Sequence, residues 1–468
     1  MKILLIVPPC PPGMTYPSGV HPRFFPPLGI GYIASVLEKN GYEVTISDLY
    51  LKKWSSVYPV LQSKRYDIVG ISCFFPSRTG IYSLISLVNR LYPQTKIILG
   101  GPYPTVMAER LIMLPSVTAV VVGEGERTVP ELINALRQGR SLSGIRGIVF
   151  REDNQIIRTQ PREYIENLDE LPFPAFHLYD LKSYQCFWPG NLNIVAQFIK
   201  DRIRGARWAP ILTTRSCEFQ CQFCAVHITG GDRPRSRSGR NVADEFEFLN
   251  REFGYQTIFL QDAAFPIGSR LARELCENLL RRKVRIHWAT NARADRATKE
   301  NLRLMREAGC FYLLFGVESG APGILNKINK KETLEDIVET IIMAKEIGID
   351  VGIHIIVGYP GENEHTINET IKVIRGLKKY IKTLYVRILA IFPGTELYYR
   401  VLSQGKMDED YFFRPSQSFF IPYTIEHDVK TLYKWKRKIQ SSIKPFFFLD
   451  KVAEHFKEGT SPGILLNS

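Results

Sequence analysis

The chain has 468 residues, 45% hydrophobic and 23% charged, with 61 Lys and Arg against 47 Asp and Glu for a net charge of +14. That length predicts two or three domains, the balance excludes a disordered chain, and no apolar run approaches the ~18 to 20 residues of a bilayer-spanning helix. The positive charge gathers at 202–240 and 430–444; it marks an anionic partner (nucleic acid, a cofactor or a membrane surface) or solvated helix faces.

The opening run Ile3-Leu4-Leu5-Ile6-Val7 is stopped by Pro8-Pro9 with no small-residue cleavage site. It therefore reads as a first β-strand rather than a leader, and the protein is expected in the cytoplasm. Up to residue 140, short β-rich runs at 3–7, 44–47, 68–72, 96–99 and 119–122 alternate with helix-periodic segments at 30–39, 81–91, 105–111 and 128–137. Five such units predict an α/β fold with a doubly wound, Rossmann-like parallel sheet that takes ligands at its strand carboxyl ends. There the chain places Gly100-Gly101-Pro102 and Gly123-Glu124-Gly125-Glu126, whose glycines let backbone approach a bulky ligand closely.

Residues 141–205 read as a connector, with a hairpin about Glu152-Asp153-Asn154 and an extended Leu171-Pro172-Phe173-Pro174. From 206 to 400 a second series of strands is expected at 211–214, 257–261, 285–290, 312–317, 350–357 and 383–390. Six units suit a partial (β/α)6 TIM barrel rather than an eight-fold one. Residues 401–468 are expected to form a small helical region, carrying Lys434-Trp435-Lys436-Arg437-Lys438 and then Pro445-Phe446-Phe447-Phe448-Leu449.

Eight cysteines stand at 10, 73, 186, 217, 221, 224, 276 and 310. Their sparse spread fits a reducing compartment with a metal site better than a disulfide framework. Arg215-Ser216-Cys217-Glu218-Phe219-Gln220-Cys221-Gln222-Phe223-Cys224 sets three thiols in one short loop after the first strand of the second series. Thiolates suit zinc or iron–sulfur clusters, and three of them on a four-iron cluster leave one iron open to a substrate. The competing reading is a structural zinc completed by His227, although zinc sites usually pair ligands from two separated knuckles. Cys10, Cys186, Cys276 and Cys310 read as small packed hydrophobes.

The Cys217-x3-Cys221-x-Phe223-Cys224 loop resembles the signature of the radical S-adenosylmethionine superfamily, whose fold is a partial (β/α)6 barrel. The resemblance makes Cys217, Cys221 and Cys224 the ligands of a 4Fe-4S cluster and brings Phe223 near the adenine of S-adenosylmethionine. Phe315-Gly316-Val317-Glu318-Ser319-Gly320 resembles the strand end at the ribose, where Glu318 would accept two hydroxyls. Residues 352–362 resemble the fifth-strand motif, and Ile391-Phe392-Pro393-Gly394-Thr395 the sixth. Asp262 would hold the methionine ammonium or cap a helix, and Arg293 would pair with the methionine carboxylate or with Glu300. His354 reads as a core histidine or as one that points into the barrel.

Pro8-Pro9, Leu28-Gly29-Ile30-Gly31-Tyr32, Gly100-Gly101-Pro102 and Val122-Gly123-Glu124-Gly125-Glu126 resemble the cobalamin-binding domain that precedes the barrel in one large subclass. That subclass holds radical methyltransferases and anaerobic magnesium-protoporphyrin cyclases. The resemblance assigns Gly100, Gly101, Pro102, Glu124, Gly125 and Glu126 to cobalamin. No Asp-x-His-x-x-Gly is present to supply a histidine ligand to cobalt, which places Cys73, Phe74 or Phe75 beneath the corrin; Tyr103 stands where relatives often carry histidine.

The activity so implied is methylation of an unactivated carbon, with a 5′-deoxyadenosyl radical abstracting hydrogen and methylcobalamin supplying the methyl. One alternative is radical rearrangement or oxidative cyclisation; another is a non-catalytic metal protein that binds nucleic acid through its basic surface. The expected partners are a small-molecule substrate and an external electron donor of the flavodoxin or ferredoxin type. A peripheral membrane contact through the basic, Phe-rich C-terminus would favour a lipid, isoprenoid or tetrapyrrole; the competing reading of that segment is a helix closing the barrel.

Overall fold

The computed structural model describes residues 1–9, 25–50, 52, 54–182, 184, 208–414 and 426–443. Cys10, Cys186 and the phenylalanine run at 446–448 lie outside them.

The first sheet has seven strands: β1 (Lys2–Val7), β2 (Glu43–Asp48), β3 (Ile68–Ser72), β4 (Lys96–Gly100), β5 (Val117–Val121), β6 (Ile148–Glu152) and β7 (Gln155–Arg158). Their order is β2-β1-β3-β4-β5-β6-β7, the first five parallel. Alternation along β1 shows the double winding. Leu4 and Ile6 enter one apolar layer, shared with the helix Arg78–Leu91. Ile3, Leu5 and Val7 enter the other, shared with the helices Leu28–Lys39 and Thr128–Gln138. The hairpin read as part of a connector instead adds β6 antiparallel to β5 and β7 antiparallel to β6, because Ile148, Val149 and Phe150 have buried ground to fill beside β5.

The second sheet joins β8 (Trp208–Ile211), β11 (Thr257–Phe265), β12 (His287–Ala292), β13 (Cys310–Glu318), β14 (Asp350–Val357) and β15 (Thr383–Ile388). Its order is β15-β14-β13-β12-β11-β8, every pair parallel, as a six-stranded partial barrel requires. Outward residues such as Leu313, Phe315, Ile353 and Ile355 pack under the helices. Inward ones form a separate aromatic floor of Trp208, Phe259, Phe311, Tyr312 and Tyr385. A small antiparallel ribbon, β9 (Thr214–Arg215) with β10 (Arg235–Ser236), brackets the cysteine loop.

β8 ends at Ile211, although the sequence reading carried this strand through Thr214. The backbone N–H groups of Thr213 and Thr214 donate to Asp262 Oδ1 at 2.9 and 2.7 Å, which draws them out of the ladder. At the far end, the helix Val429–Ser441 buries Leu432, Trp435 and Ile439 against the barrel. Its Lys434 and Lys438 pair with Glu364, and Trp435 Nε1–H donates to the same carboxylate at 2.8 Å. The described part of the basic segment is therefore a closing helix. Among the described residues no helix is long and apolar enough to cross a membrane.

Candidate active site

The three clustered cysteines lie on the loop between β9 and β10, at the carboxyl end of the barrel, and each is partly exposed. Segments that follow β13 and β14 tie this loop down. Asn329 Nδ2 donates to the Gln220 carbonyl at 3.1 Å, the Gln222 N–H to the Ile328 carbonyl at 3.1 Å, and the Tyr359 hydroxyl to Gln222 Oε1 at 2.5 Å. Phe223 and Cys221 pack into an apolar cluster with Ile324, Tyr359, Leu389 and Leu397. Phe223 is thus anchored by its ring and held half-buried beside the thiols.

His227 is engaged elsewhere. Its Nε2 faces the Phe219 carbonyl at 2.9 Å, and its Nδ1 faces Ser216 Oγ at 3.2 Å and the Gly231 carbonyl at 3.1 Å. Among the described residues no three Cys, His, Asp or Glu donors converge on one ion. A cubane cluster instead spreads its thiolates over separate irons. Three thiols on one loop, with the adjacent imidazole occupied, fit a cluster with an open iron better than a mononuclear zinc. Burial pushes the Cys221 thiol up to about 11 and raises Cys224 as well.

A buried charged group stands beside the loop. Glu318 closes β13 at φ +65, past a register shift, and folds its carboxylate back over Gly316 to within 3.5 Å of Lys330 Nζ. Burial raises the Glu318 carboxyl, while Lys330 pulls it back down. Lys330 also lies 3.3 Å from Glu332. Burial works against the Lys330 ammonium, yet Glu318 and Glu332 carry it above its ordinary value. Arg293 pairs with Asp295 at 3.3 Å and Glu332 at 3.5 Å, not with Glu300, and its guanidinium lies 3.3 Å over the Phe219 ring. Nothing in the Asn329-Lys330-Lys331-Glu332 sequence marks Lys330 as buried; only the fold reveals it.

Asp262 departs from its expected role. It is fully buried, and besides the two N–H groups it accepts the Thr213 hydroxyl at 2.7 Å and the Thr214 hydroxyl at 2.9 Å. Its carboxylate is saturated by the turn that leads to Cys217 and holds that turn instead of facing a ligand. Asn291 supports it from β12, its Nδ2 donating to the Asp262 carbonyl at 3.1 Å.

The strand ends of the first sheet face the same region. Cys73 and Phe75 lie inside the core rather than beneath an open face, Phe75 packing edge-on to Tyr103 and to Phe392 of the barrel. Burial pushes the Cys73 thiol up to about 12. Phe74 stays half-exposed. Tyr103 is fully buried, its hydroxyl donating to the Phe412 carbonyl at 3.1 Å. Gly101, at φ +100, crosses against the Cys73 backbone, where a Cβ would sit 2.8 Å from the carbonyl oxygen. Gly100 and Pro102 beside it stay half-exposed at the end of β4, and a Cβ on Gly123 would meet nothing within 4 Å, so this end of the sheet has room for a bulky group. Gly125 instead packs against Ile33.

Glu124 and Glu126 do not face that room. Arg215, two residues before Cys217, donates from Nη1 to Glu124 at 2.8 Å and from Nη2 to Glu126 at 2.6 Å. Arg235, opposite Arg215 in the ribbon, reaches Glu124 at 2.9 Å and donates to the Ile165 carbonyl at 2.7 Å. The side chains of Arg215, Glu124 and Glu126 are 11%, 9% and 6% exposed. Burial works against the Glu124 carboxylate, but Arg235 and Arg215 hold it below its ordinary range. These carboxylates clasp the cysteine loop to the first sheet. Arg237 is likewise buried against Glu245, so part of the basic cluster at 202–240 is interior structure and not a surface for nucleic acid.

Residues 211–374 match the family model of the Radical SAM superfamily, and residues 20–133 that of the B12 binding domain. An uncharacterized methyltransferase of Pyrococcus horikoshii is 29% identical over 401 residues, 85% of this chain and 82% of its own. The cytidylyl-2-hydroxyethylphosphonate methyltransferase of Streptomyces wedmorensis is 28% identical over 438 residues, 83% of this chain and 80% of its own. The anaerobic magnesium-protoporphyrin IX monomethyl ester cyclase of Rubrivivax gelatinosus is 27% identical over 376 residues, 76% of this chain and 65% of its own. Among solved structures, the radical S-adenosylmethionine methyltransferase TsrM of Kitasatospora setae superposes with a TM-score of 0.70 at 21% identity, covering 86% of this chain and 76% of that one; this likeness shows the fold.

Proposed function

We propose that this chain, a radical SAM protein with a B12-binding domain, methylates an unactivated carbon of a small molecule. The observation that carries the reading is the clasp of Glu124 and Glu126 on Arg215, which sets the cysteine loop against the strand ends of the first sheet. When bound, a 4Fe-4S cluster with S-adenosylmethionine supplies a one-electron initiator, and cobalamin supplies a methyl carrier.

The chain's own residues supply position and exclusion of water. Cys217, Cys221 and Cys224 would hold the cluster, while Asp262 keeps their loop at a fixed height above β11 through its four hydrogen bonds. Glu318, Lys330 and Arg293 offer buried charges of both signs to a zwitterionic cosubstrate. Phe223, rigid beside Cys221, offers a flat apolar face, and Gly100, Gly101 and Pro102 edge the open end of the first sheet. An external donor of the flavodoxin or ferredoxin type delivers the electron.

Anaerobically reconstituted protein, given methyl-labelled S-adenosylmethionine and metabolite extract, should place label in a product and form both 5′-deoxyadenosine and S-adenosylhomocysteine. Formation of 5′-deoxyadenosine with no label in any product rejects methyl transfer and supports rearrangement or cyclisation, the activity named for the Rubrivivax relative.

A further inference from the structure

Arg387 lies on the inner face of β15, two residues beyond Tyr385 of the aromatic floor. It is exposed although its neighbours Tyr385, Val386 and Leu389 are buried, so open space borders the barrel wall at this point. Several other cations around the barrel are matched. Lys330 has Glu318 and Glu332, Arg293 has Asp295 and Glu332, and Lys345 and Lys382 share Asp350. Arg387 has no ion-pair or hydrogen-bond partner among the described residues.

His354 stands on the adjoining strand, in register with Tyr385 and stacked on its ring at 4.9 Å and 18°. It is half-buried, and its environment includes the charges of Arg387 and Lys330. Burial, with those two cations, pushes its pKa down to about 4, so the imidazole is neutral near pH 7 and keeps one N–H donor and one acceptor. The arrangement is one unmatched guanidinium, one neutral imidazole and an apolar floor below them.

We propose that Arg387 and His354 form an oxyanion-recognition site that holds a carboxylate, phosphate or phosphonate group of the substrate, with the apolar remainder lying along the aromatic floor. The guanidinium presents paired N–H donors in the planar geometry that matches such groups. The imidazole N–H gives a second direction, and its neutrality spares the site a second buried charge. This assignment rests on reading the barrel interior as the place where substrate is held. It narrows the substrate to an amphipathic anion and disfavours a neutral isoprenoid.

The test is equilibrium binding, with no turnover, to the full chain reconstituted with cluster and cobalamin. The probes are phenylphosphonate, phenylacetate and the neutral phenylacetamide, read by calorimetry. Both anions should bind saturably and the amide at least about tenfold more weakly. Arg387→Gln should weaken the anions by about 10- to 100-fold and leave the amide unchanged, with an unaltered circular dichroism spectrum; Arg387→Lys should restore part of the affinity. Equal binding of amide and anions, no saturable binding of either anion, or anion binding indifferent to Arg387→Gln overturns the proposal. Because methyl transfer is not measured, a protein that binds the anions but transfers no label rejects only the methyltransferase reading.

Discussion

Removing the guanidinium from the interdomain clasp, by Arg215→Gln, should destabilise the protein far more than an ordinary surface-charge substitution. Arg215 meets two carboxylates at 2.8 and 2.6 Å with all three side chains nearly withdrawn from solvent. At an effective dielectric near 20 each contact is worth on the order of 4 kcal/mol in Coulomb attraction. Desolvation returns several kcal/mol per ion, so the intact group is close to neutral in net terms. Its rupture is not. Glu124 keeps Arg235 at 2.9 Å, but Arg215 is the ion-pair partner of Glu126 among the described residues, and Arg215→Gln leaves that carboxylate buried and unbalanced. A loss of about 3 to 5 kcal/mol is expected, on the order of 10 °C in the unfolding midpoint. Glu126→Gln, which leaves Arg215 with Glu124, should cost about 1 to 2 kcal/mol. The double variant should cost clearly less than the sum of the two, and urea unfolding of the four proteins under reducing conditions measures that coupling. Strictly additive costs, or an Arg215→Gln protein within about 1 kcal/mol of wild type, would show that the clasp is incidental.

The turn beneath the cysteines and the fifth-strand loop give two more expectations. Asp262→Asn replaces an acceptor of four hydrogen bonds, three on Oδ1 and one on Oδ2, with a group that turns an NH2 toward at least one of the donors; stability should fall by about 2 to 3 kcal/mol, and iron content after reconstitution should drop with it. Unchanged iron loading would free Asp262 of its positioning role. Glu362 accepts the Gly358 and Tyr359 N–H groups, and burial pushes its carboxyl from 4.5 to about 7. The fold therefore binds the proton more tightly than the unfolded chain, and this stabilisation is present below pH 4.5 and lost as pH rises through 7. Relative to Glu362→Gln, wild type should lose about 3 kcal/mol between pH 4.5 and 8, and parallel stability–pH curves for the two would refute the assignment.

Where local pattern decided structure, the sequence was legible. β3 and β14 run over 68–72 and 350–357 as their β-branched runs predict, and the five parallel strands of the first sheet and the six of the barrel follow the expected spacing, whereas the hairpin strands β6 and β7 were read as connector. β8 was misplaced because Asp262, some fifty residues on, takes the backbone donors of Thr213 and Thr214. Glu124 and Glu126 were read as ligand contacts for a related reason. A Gly-Glu-Gly-Glu turn at a strand end looks alike whether its carboxylates meet a cofactor or an arginine ninety residues away. Cys73 and Phe75 followed the strand end correctly but not its direction, which Phe392 and Tyr103 settle by packing on Phe75. Arg387 carried no signal beyond its place in an alternating strand; it needed the floor beneath it to become conspicuous.

Glu124 touches both strands of the β9–β10 ribbon, because Arg215 and Arg235 are cross-strand partners. The stretch bearing all three cysteines is therefore a noose whose knot is tied by a residue of the other sheet. A barrel excised near residue 206 would keep every thiol yet lose the knot, and its open noose would have to be ordered by the incoming cluster at an entropic cost. The two halves of the chain are in this sense not interchangeable parts. A barrel grafted onto a foreign B12-binding domain needs a carboxylate at the position of Glu124 before its cysteines can count as a site.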